Sequence, residues 1–241
     1  MPSRYEHILE QEKRWKRLLY QWFPTYQFSN DFYEDTIKGH LIPGCRWVDS
    51  GCSKNELIYE FDELCKASVG LDCITHASLE KGEVNRFLQG DVSHLPFQSD
   101  SIDLFSSNMM LEHIEKPAAM IAEMHRSLKP GGMMVLRTPN AWHVLNVLKK
   151  FVPEGLKKSL IRRVFGIASE DVFPTYYRAN RIGALKKLCQ HAGFSSCEVI
   201  AFEDVHTAFG FFFYLSMLFY RIVRIRPLAF LRMNFVVMAK K

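Results

Sequence analysis

The chain has 241 residues, of which 48% are hydrophobic and 24% are charged. This is the composition of a globular protein, so it excludes a disordered chain and a disulfide-linked miniature scaffold, and the length suits one α/β domain with insertions. The formal net charge of +5 at pH 7 is too small to indicate a nucleic-acid-binding protein by itself.

Two features predict the cellular compartment. The six cysteines include no Cys-x-x-Cys pair and lie mostly in apolar runs, which indicates reduced, buried thiols. The N-terminal segment MPSRYEHILEQEKRW is charged throughout, whereas a secretory signal needs an apolar stretch. We therefore expect a cytoplasmic protein.

Residues 1–40 carry apolar side chains at roughly helical spacing, including Trp15, Leu19 and Trp22, and predict an N-terminal helical brace. From Cys45 onward, short apolar runs alternate with longer amphipathic stretches, which is typical of a parallel sheet with crossover helices. Strands are expected near residues 46–49, 67–72, 86–89, 102–106, 133–137, 197–202 and 234–239. Helices are expected at 55–64, 117–128 and 181–192, and Gly193 should end the last of them.

A tight turn follows the first predicted strand, which ends at Asp49. Gly51 has no side chain to obstruct a ligand, and Asn55 is among the few non-glycine residues that tolerate a positive φ. Ser53 and Glu56 fit a capping box, so a helix should begin directly after the turn. The turn is therefore expected to bring backbone amides close to a ligand.

Carboxylates also follow the second and third predicted strands. Asp72 lies 23 residues beyond Asp49, at a position where an acidic side chain can accept from both ribose hydroxyls of a nucleoside. Asp91 could accept from an adenine amino group, with Val92 beside the ring. Taken singly, Asp72 could be a strand-end cap and Asp91 a turn former. The combination favours nucleoside binding.

The pattern is completed by two further segments, LPFQSDSIDLFSSNMMLEHI and RSLKPGGMMVLRTPN. With the acidic strand ends, these residues resemble the class I S-adenosylmethionine-dependent methyltransferases, with a methyltransferase type 11-like domain, over about residues 44–140. The resemblance implies a Rossmann-like, doubly wound, seven-stranded and mostly parallel sheet whose last strand is antiparallel, and S-adenosylmethionine as the cofactor. An NAD-binding domain is the nearest alternative, but it requires G-x-G-x-x-G and this turn has one glycine.

Carried over by position, the resemblance implies a set of cofactor contacts in this chain. They are Asp49 at the amino-acid end, Gly51 and Ser53 in the turn, Asp72 at the ribose, Asp91 and Val92 at the adenine, and Asn108 after the fourth strand. The family usually has glycine where this chain has Ser53 and Asn55, and these two departures bear on the affinity for the cofactor.

The candidate catalytic base is His113, in the Leu-Glu-His sequence after the fourth strand. Methyl transfer from a sulfonium depends mainly on positioning, but a hydroxyl acceptor must lose a proton, and histidine suits that task near neutral pH. The alternative is that His113 caps a loop or shapes the pocket. No metal site is predicted, because no second cluster supports the Glu-His pair.

Residues 141–180 are longer than a plain strand-to-helix connection and predict a lid over the acceptor pocket within the domain of residues 41–241. Near its end, Tyr176 and Tyr177 could stack on a ring or sugar, and Arg178 could bind an acidic acceptor. The alternative is that Arg178 and Asn180 organise the start of the next helix.

Two basic, apolar segments suggest a membrane surface. Residues 144–166 have six basic residues against one glutamate, and residues 208–226, inside an expected insertion at about 205–232, form an aromatic run that ends in arginines. The first 13 residues of that run are too few for the roughly 20 that span a bilayer, so we expect peripheral attachment. A homodimer interface is the alternative.

The sequence thus predicts a methyltransferase that acts on a small-molecule, lipid-linked or glycan acceptor, with O-methylation favoured. A nucleic-acid partner is not expected, because the basic residues alternate with aliphatic stretches. The alternative from another class is a non-catalytic binding module with weakened cofactor affinity.

Overall fold

The computed structural model describes residues 4–53, 56–74, 86–148, 174–207 and 210–241. Its strands are β1 (Arg46–Ser50), β2 (Ala67–Asp72), β3 (Phe87–Gln89), β4 (Ile102–Asn108), β5 (Leu128–Pro139), β6 (Ser196–Phe202) and β7 (Asn234–Lys240). Its α-helices are α1 (Arg4–Trp22), α2 (Ser29–His40), α3 (Glu56–Phe61), α4 (Pro117–Ser127), α5 (Val144–Leu148), α6 (Ile182–Ala192) and α7 (Gly210–Val223). Short 3₁₀ helices cover Asp62–Leu64, Leu111–His113 and Arg226–Leu231.

The strands form one sheet in the order β3-β2-β1-β4-β5-β7-β6. Neighbours from β3 to β5 pair in parallel, whereas β7 is antiparallel to both β5 and β6. The predicted fold class is therefore confirmed, including the antiparallel last strand. Strand order reverses at β1, whose neighbours are β2 and β4, and ligands of such sheets bind at the carboxyl ends of the strands beside this point.

The predicted elements need small corrections. The helix expected to reach residue 128 ends at Ser127, because Leu128 already pairs with Ile102 as the first residue of β5. The helix expected at 55–64 is α for Glu56–Phe61 and 3₁₀ for Asp62–Leu64. Gly193 ends α6 in the left-handed conformation with a φ of 97°, as predicted.

Both faces of the sheet are covered by helices. One face packs against α4 and α6, and its buried residues include Leu71, Phe105, Met120, Met124 and Leu185. The other packs against α2 and α3 through residues that include Tyr33, Ile37, Trp47, Ile58 and Phe61. Because parallel strands buried on both faces need apolar side chains at nearly every position, the polar residues within them stand out as candidates for function.

A third apolar cluster joins α1 to α7. Leu19 and Phe213 are fully buried in it, and the Trp15 ring stacks on Phe213 with centroids 4.8 Å apart. The predicted N-terminal brace and the insertion at 205–232 thus contact each other. Their role, and the domain division itself, remain predictions. Within the predicted lid and the basic segment 144–166, residues 149–173 lie outside the described residues.

Candidate active site

Asp49 lies near the carboxyl end of β1, at the point where strand order reverses, and its side chain is buried. Its Oδ1 accepts a 2.6 Å hydrogen bond from Ser106 Oγ on β4, which in turn accepts a 2.8 Å bond from Trp47 Nε1. Burial raises the pKa of Asp49 to about 7, opposed by the Ser106 hydrogen bond and assisted by the charge of Asp72. The carboxyl group therefore changes charge near neutral pH.

The turn after β1 uses two residues with positive φ, Gly51 at 74° and Ser53 at 50°. An added Cβ at Gly51 would lie 2.6 Å from the sulfur of Met110, so only glycine fits there. The amides of Gly51 and Cys52 donate to the carbonyl of Leu71 over 2.7 and 3.3 Å. These two amides thus hold the turn to β2. The proposed positive φ of Asn55 falls outside the described residues.

Asp72 connects the two strand ends. Its Oδ2 accepts from the amide of Ser53 at 2.9 Å, and its Oδ1 accepts from the amide of Ile74 at 3.2 Å. A carboxylate has about four lone-pair sites, so both oxygens keep capacity for a further donor. The structure therefore brings Asp49, Gly51, Ser53 and Asp72 together at one edge of the sheet.

Asp91 and Val92 occupy different surroundings. Asp91 is exposed, and its Oδ1 accepts from the amide of Ser93 at 2.8 Å while its Oδ2 lies 3.3 Å from His94 Nδ1. These contacts, the Ser93 amide first, lower the pKa of Asp91. Val92 is instead buried in the core. The geometry of Asp91 is that of a turn-forming aspartate.

Asn108 ends β4 beside a polar cluster that the sequence analysis missed. Its Oδ1 accepts from Arg137 Nη1 at 3.0 Å, and Arg137 Nε donates to Ser29 Oγ at the start of α2 over 2.7 Å. The guanidinium also lies 3.4 Å from Asp204. Arg137 therefore fastens α2 to the carboxyl edge of the sheet. The signal was an arginine within the apolar strand sequence MMVLRTP.

His113 lies in the 3₁₀ helix Leu111–His113, directly after β4. Its Nδ1 is 2.9 Å from the carbonyl oxygen of Pro174. Since a carbonyl can only accept, Nδ1 carries the hydrogen, and Nε2 is the basic nitrogen of the neutral ring. Nε2 lies 3.9 Å from Oε1 of Glu112.

Glu112 is buried, and its carboxylate belongs to a network at the end of β5. Oε2 accepts from Thr138 Oγ1 at 3.2 Å, and Thr138 Oγ1 accepts from Asn180 Nδ2 at 2.6 Å. Burial raises the pKa of Glu112, whereas hydrogen bonding to its own backbone, the charge of His113 and the Thr138 bond lower it. Glu112 was missed as a site residue, although it adjoins His113 in the chain.

The residues proposed for the acceptor lie against this turn. The amides of Tyr176 and Tyr177 donate to the carbonyl of Glu112 over 2.7 and 3.2 Å, and Tyr177 has a φ of 51°. Burial and the charge of Glu112 raise the pKa of Tyr177. Arg178 lies over the Tyr176 ring at 5.5 Å and 3.4 Å from Glu115. The structure thus brings His113, Tyr176 and Tyr177 together, and Arg178 is at their exposed side.

Asn180 anchors the end of this loop. It is fully buried and donates to the carbonyl of Pro139 over 3.1 Å as well as to Thr138. It therefore holds the loop to β5. This contact is in line with the alternative interpretation, in which Asn180 organises the start of α6. Among the described residues no three metal-ligating side chains cluster, and a site that uses no metal stays a prediction.

Comparison with known proteins gives the family of this arrangement. Residues 48–136, which run from within β1 to within β5 and include the candidate cofactor turn, match the family model described as "Methyltransferase domain". A solved S-adenosylmethionine-dependent methyltransferase from Archaeoglobus fulgidus superposes with a TM-score of 0.56 at 16% identity, covering 94% of this chain and 99% of the other. Residues 48–136 therefore belong to a methyltransferase domain, and the fold around them is that of solved S-adenosylmethionine-dependent methyltransferases.

Two curated proteins share sequence with this methyltransferase domain and its flanks. A tRNA U34 carboxymethyltransferase from Sulfurimonas denitrificans is 25% identical over 198 residues, which is 77% of this chain and 62% of that protein. A malonyl-[acyl-carrier protein] O-methyltransferase from Yersinia pestis is 24% identical over 94 residues, 38% of this chain and 35% of that protein. The chain thus spans less than two thirds of the length of these relatives, and their acceptors differ.

Proposed function

We propose that this methyltransferase transfers a methyl group to a hydroxyl oxygen of a small-molecule, lipid-linked or glycan acceptor. The observation that carries the proposal is the orientation of His113, whose Nδ1 donates to Pro174 and leaves Nε2 as a base 3.9 Å from the Glu112 carboxylate. A base at this edge of the sheet is useful when the acceptor atom must lose a proton, as a hydroxyl must.

The residues proposed to hold the cofactor are Asp49, Gly51, Ser53 and Asp72, which lie together, and Asp91, Val92 and Asn108. Of the last three, Asp91 is bound within its own turn and Val92 is buried in the core. The donor set suits a nucleoside with an amino-acid tail, because Asp49 offers a buried carboxylate to an ammonium group and Asp72 offers two oxygens to neighbouring hydroxyls. When bound, S-adenosylmethionine supplies a methyl group already activated by a sulfonium. The domain then needs to orient the acceptor and exclude water.

His113 would take the acceptor's proton on Nε2 while the carboxylate of Glu112 stabilises the resulting imidazolium. In this proposal His113 is the catalytic residue, and Glu112 is a positioning residue that acts through it. The hydrogen bonds of Glu112 to Thr138, and of Thr138 to Asn180, keep the carboxylate in place.

Tyr176 and Tyr177 are proposed to contact a ring or sugar of the acceptor, since their loop is held to the carbonyl of Glu112. Arg178 could bind an acidic group only by exchanging its exposed contact with Glu115, which costs little because both side chains are solvated. The name of the Yersinia pestis relative supports oxygen as the acceptor atom.

A lipid-linked acceptor would require the protein to work from the cytoplasmic side of a membrane as a peripheral protein. In the part of the chain that the structure describes, no helix combines the length and the apolar character needed to cross a bilayer. Surface attachment is therefore the form of membrane contact that we propose.

The second candidate is a non-catalytic binding module with weakened cofactor affinity, motivated by Ser53 and Asn55 at positions where the family usually has glycine. Calorimetric titration with S-adenosylhomocysteine separates the two. We expect binding by the wild type and a loss of at least about tenfold in affinity for Asp72→Ala, because a ribose hydroxyl loses a charged acceptor. Asp35→Ala, an exposed change on α2, is the control. Absence of binding by the wild type would favour the module.

The acceptor is then sought with radiolabelled S-adenosylmethionine in three arms: a membrane lipid extract, a panel of small hydroxy and carboxylic acids, and total tRNA. Label that enters a lipid or small-molecule oxygen and disappears in His113→Ala supports the proposal. Label that enters only tRNA would overturn the acceptor class and agree with the name of the Sulfurimonas denitrificans relative.

A further inference from the structure

The outward side of α7 is apolar along its whole length. Phe211 is 76% exposed and Leu218 is 58% exposed, whereas Phe213 and Met217 on the opposite side are buried against α1. We call the outward residues the α7 face: Phe211, Phe212, Tyr214, Leu215, Leu218 and Ile222. They recur at helical spacing and form one stripe, so burying them would remove a large apolar area from water.

A groove adjoins this stripe where the end of α1 meets α7. It has a volume of about 540 Å³ and is lined by Trp22, Phe23, Tyr214, Met217, Leu218 and Arg221. The lining is thus apolar and aromatic with one cation at its side. Aromatic side chains with a polar edge and arginine together are typical of surfaces at the headgroup boundary of a bilayer.

The charges around the α7 face are mostly positive, although Glu12 on α1 pairs with Lys16 at 2.9 Å and lies near His206. The second half of α1 contributes the cations Arg14, Lys16 and Arg17. The end of α7, the residues that follow it and the start of the next 3₁₀ helix contribute Arg221, Arg224 and Arg226. The sequence has no Asp or Glu from residue 13 to residue 30, nor after Asp204. A two-fold dimer through this face would therefore bring cations toward cations, whereas an anionic lipid surface would complement them.

The α7 helix lies at the same edge of the sheet as the candidate active site, the edge formed by the carboxyl ends of β5 and β6. α7 follows the carboxyl end of β6, and its Phe219 contacts the ring of His143, just after β5, with centroids 5.4 Å apart. β5 and β6 are parallel to each other, since both are antiparallel to β7. A membrane against α7 would thus be near the edge that holds Asp49 and His113.

We propose that the α7 face docks on an anionic lipid bilayer, with Phe211, Leu215 and Leu218 among the acyl chains and Arg221 and Arg226 at the lipid phosphates. The helix lies along the surface, because its 14 residues are too few to cross. This inference rests on the proposed function in one respect: a lipid-linked acceptor would give the docking a purpose. Docking itself requires no methyl transfer.

The test is co-sedimentation with two kinds of vesicle at low and high salt. One kind contains phosphatidylcholine alone, and the other also contains about 30% phosphatidylglycerol, an anionic lipid, which gives the vesicle a negative surface potential. We expect binding to the anionic vesicles that weakens with salt. Leu215→Gln/Leu218→Gln should lower the partition coefficient at least about tenfold, and Arg221→Gln/Arg226→Gln about fivefold per arginine at low salt. Ile42→Gln, an exposed apolar position ahead of β1 at the opposite edge, should change nothing.

Each variant is also titrated with S-adenosylhomocysteine, which shows that it is folded and tests the proposed function separately. Cofactor binding without vesicle binding overturns the docking proposal alone, and vesicle binding without cofactor binding overturns the proposed function alone. A wild type that ignores vesicles but forms a dimer in sedimentation velocity, dissociated by Leu215→Gln/Leu218→Gln, would show that a second copy covers the face.

Discussion

Ser106 donates a 2.6 Å hydrogen bond to the carboxyl group of Asp49, and this bond joins the two strands between which the order of the sheet reverses. The bond stabilises the ionised form of Asp49, but burial opposes it and prevails, so the pKa rises to about 7. A bound ammonium group would restore the charge. The Asp49 carboxyl group is therefore ionised most readily when a cationic ligand is bound beside it.

The stability of the ligand-free protein should fall as pH rises from about 4 to about 7. The pKa of Asp49 is about 7 in the folded protein against an ordinary value of 3.8, so the folded protein keeps a proton that the unfolded chain releases in this interval. Asp49→Asn removes this contribution and should be more stable at pH 8 by up to about 4 kcal/mol, measured by urea unfolding. Asp31→Asn, an exposed change, should show the same dependence of stability on pH as the wild type. If the stability of Asp49→Asn also fell with pH as the wild type's does, the raised pKa of Asp49 would be contradicted.

Ser53→Gly should stabilise the protein by about 0.5 to 1 kcal/mol, since a left-handed conformation costs a non-glycine residue about 1 to 2 kcal/mol and part of the gain is lost to the freer unfolded chain. The φ of Ser53 is 50°. Thermal unfolding measures the change, and Ser53→Ala is the control because it removes the side-chain oxygen without relieving the backbone. A glycine variant no more stable than the alanine variant would argue against strain in the turn.

Gly51→Ala should lower the free energy of unfolding by about 2 to 4 kcal/mol, because the new methyl group meets Met110 and the backbone has a positive φ. Adding Met110→Ala should recover the part due to Cγ and Sδ of Met110, and it should leave the part due to φ and to the retained Cβ, which is 2.9 Å away. Urea unfolding of the two single variants and the double variant gives the coupling energy. Simple additivity would show that the contact with Met110 is not what requires glycine.

His113→Ala should lower kcat by about 10² to 10⁴ on the true acceptor while S-adenosylhomocysteine affinity stays within about twofold, because the proposed base does not hold the cofactor. His191→Ala on the exposed side of α6 is the control. Near-normal turnover of His113→Ala would assign the residue to shaping the loop through Pro174.

Glu112→Gln should reduce kcat less than His113→Ala does, while the KM for the acceptor and the affinity for S-adenosylhomocysteine stay within about twofold. The reason is that a carboxylate 3.9 Å from Nε2 stabilises the positive charge that forms on the ring when it takes the proton, and the amide does not. A lower kcat accompanied by a higher KM and a lower free energy of unfolding would indicate that Glu112 acts only through the network of Thr138 and Asn180.

The strands could be predicted from the sequence because each is marked by an apolar run of neighbouring residues, and every predicted strand is present in the described residues. The end of α6 could be predicted in the same way from Gly193. The bounds of β5 could not, because they depend on the pairing of Leu128 with Ile102 across the chain. The acidic strand ends were likewise visible, since β1 and β2 run in the same direction and must end at one edge.

The contacts of the site were beyond the sequence for a different reason. The hydrogen bonds that fix Asn108, His113 and Glu112 come from Arg137, Pro174 and Thr138, all far away in the chain. Ser53, which has a positive φ, likewise donates its amide to Asp72, 19 residues further along the chain. Sequence patterns locate such side chains but do not report their partners.

The position of β7 between β5 and β6 has a consequence for how the chain reaches this structure. Among the described strands β6 pairs only with β7, so Ser196–Phe202 has no described strand to join until Asn234–Lys240 has left the ribosome. Throughout the synthesis of α7 and its exposed aromatic residues, the open edge of β5 remains available for pairing with other chains. The growing chain is therefore most prone to aggregation just before its sheet is closed, and chaperones or a nearby lipid surface would have their largest effect on yield in that interval.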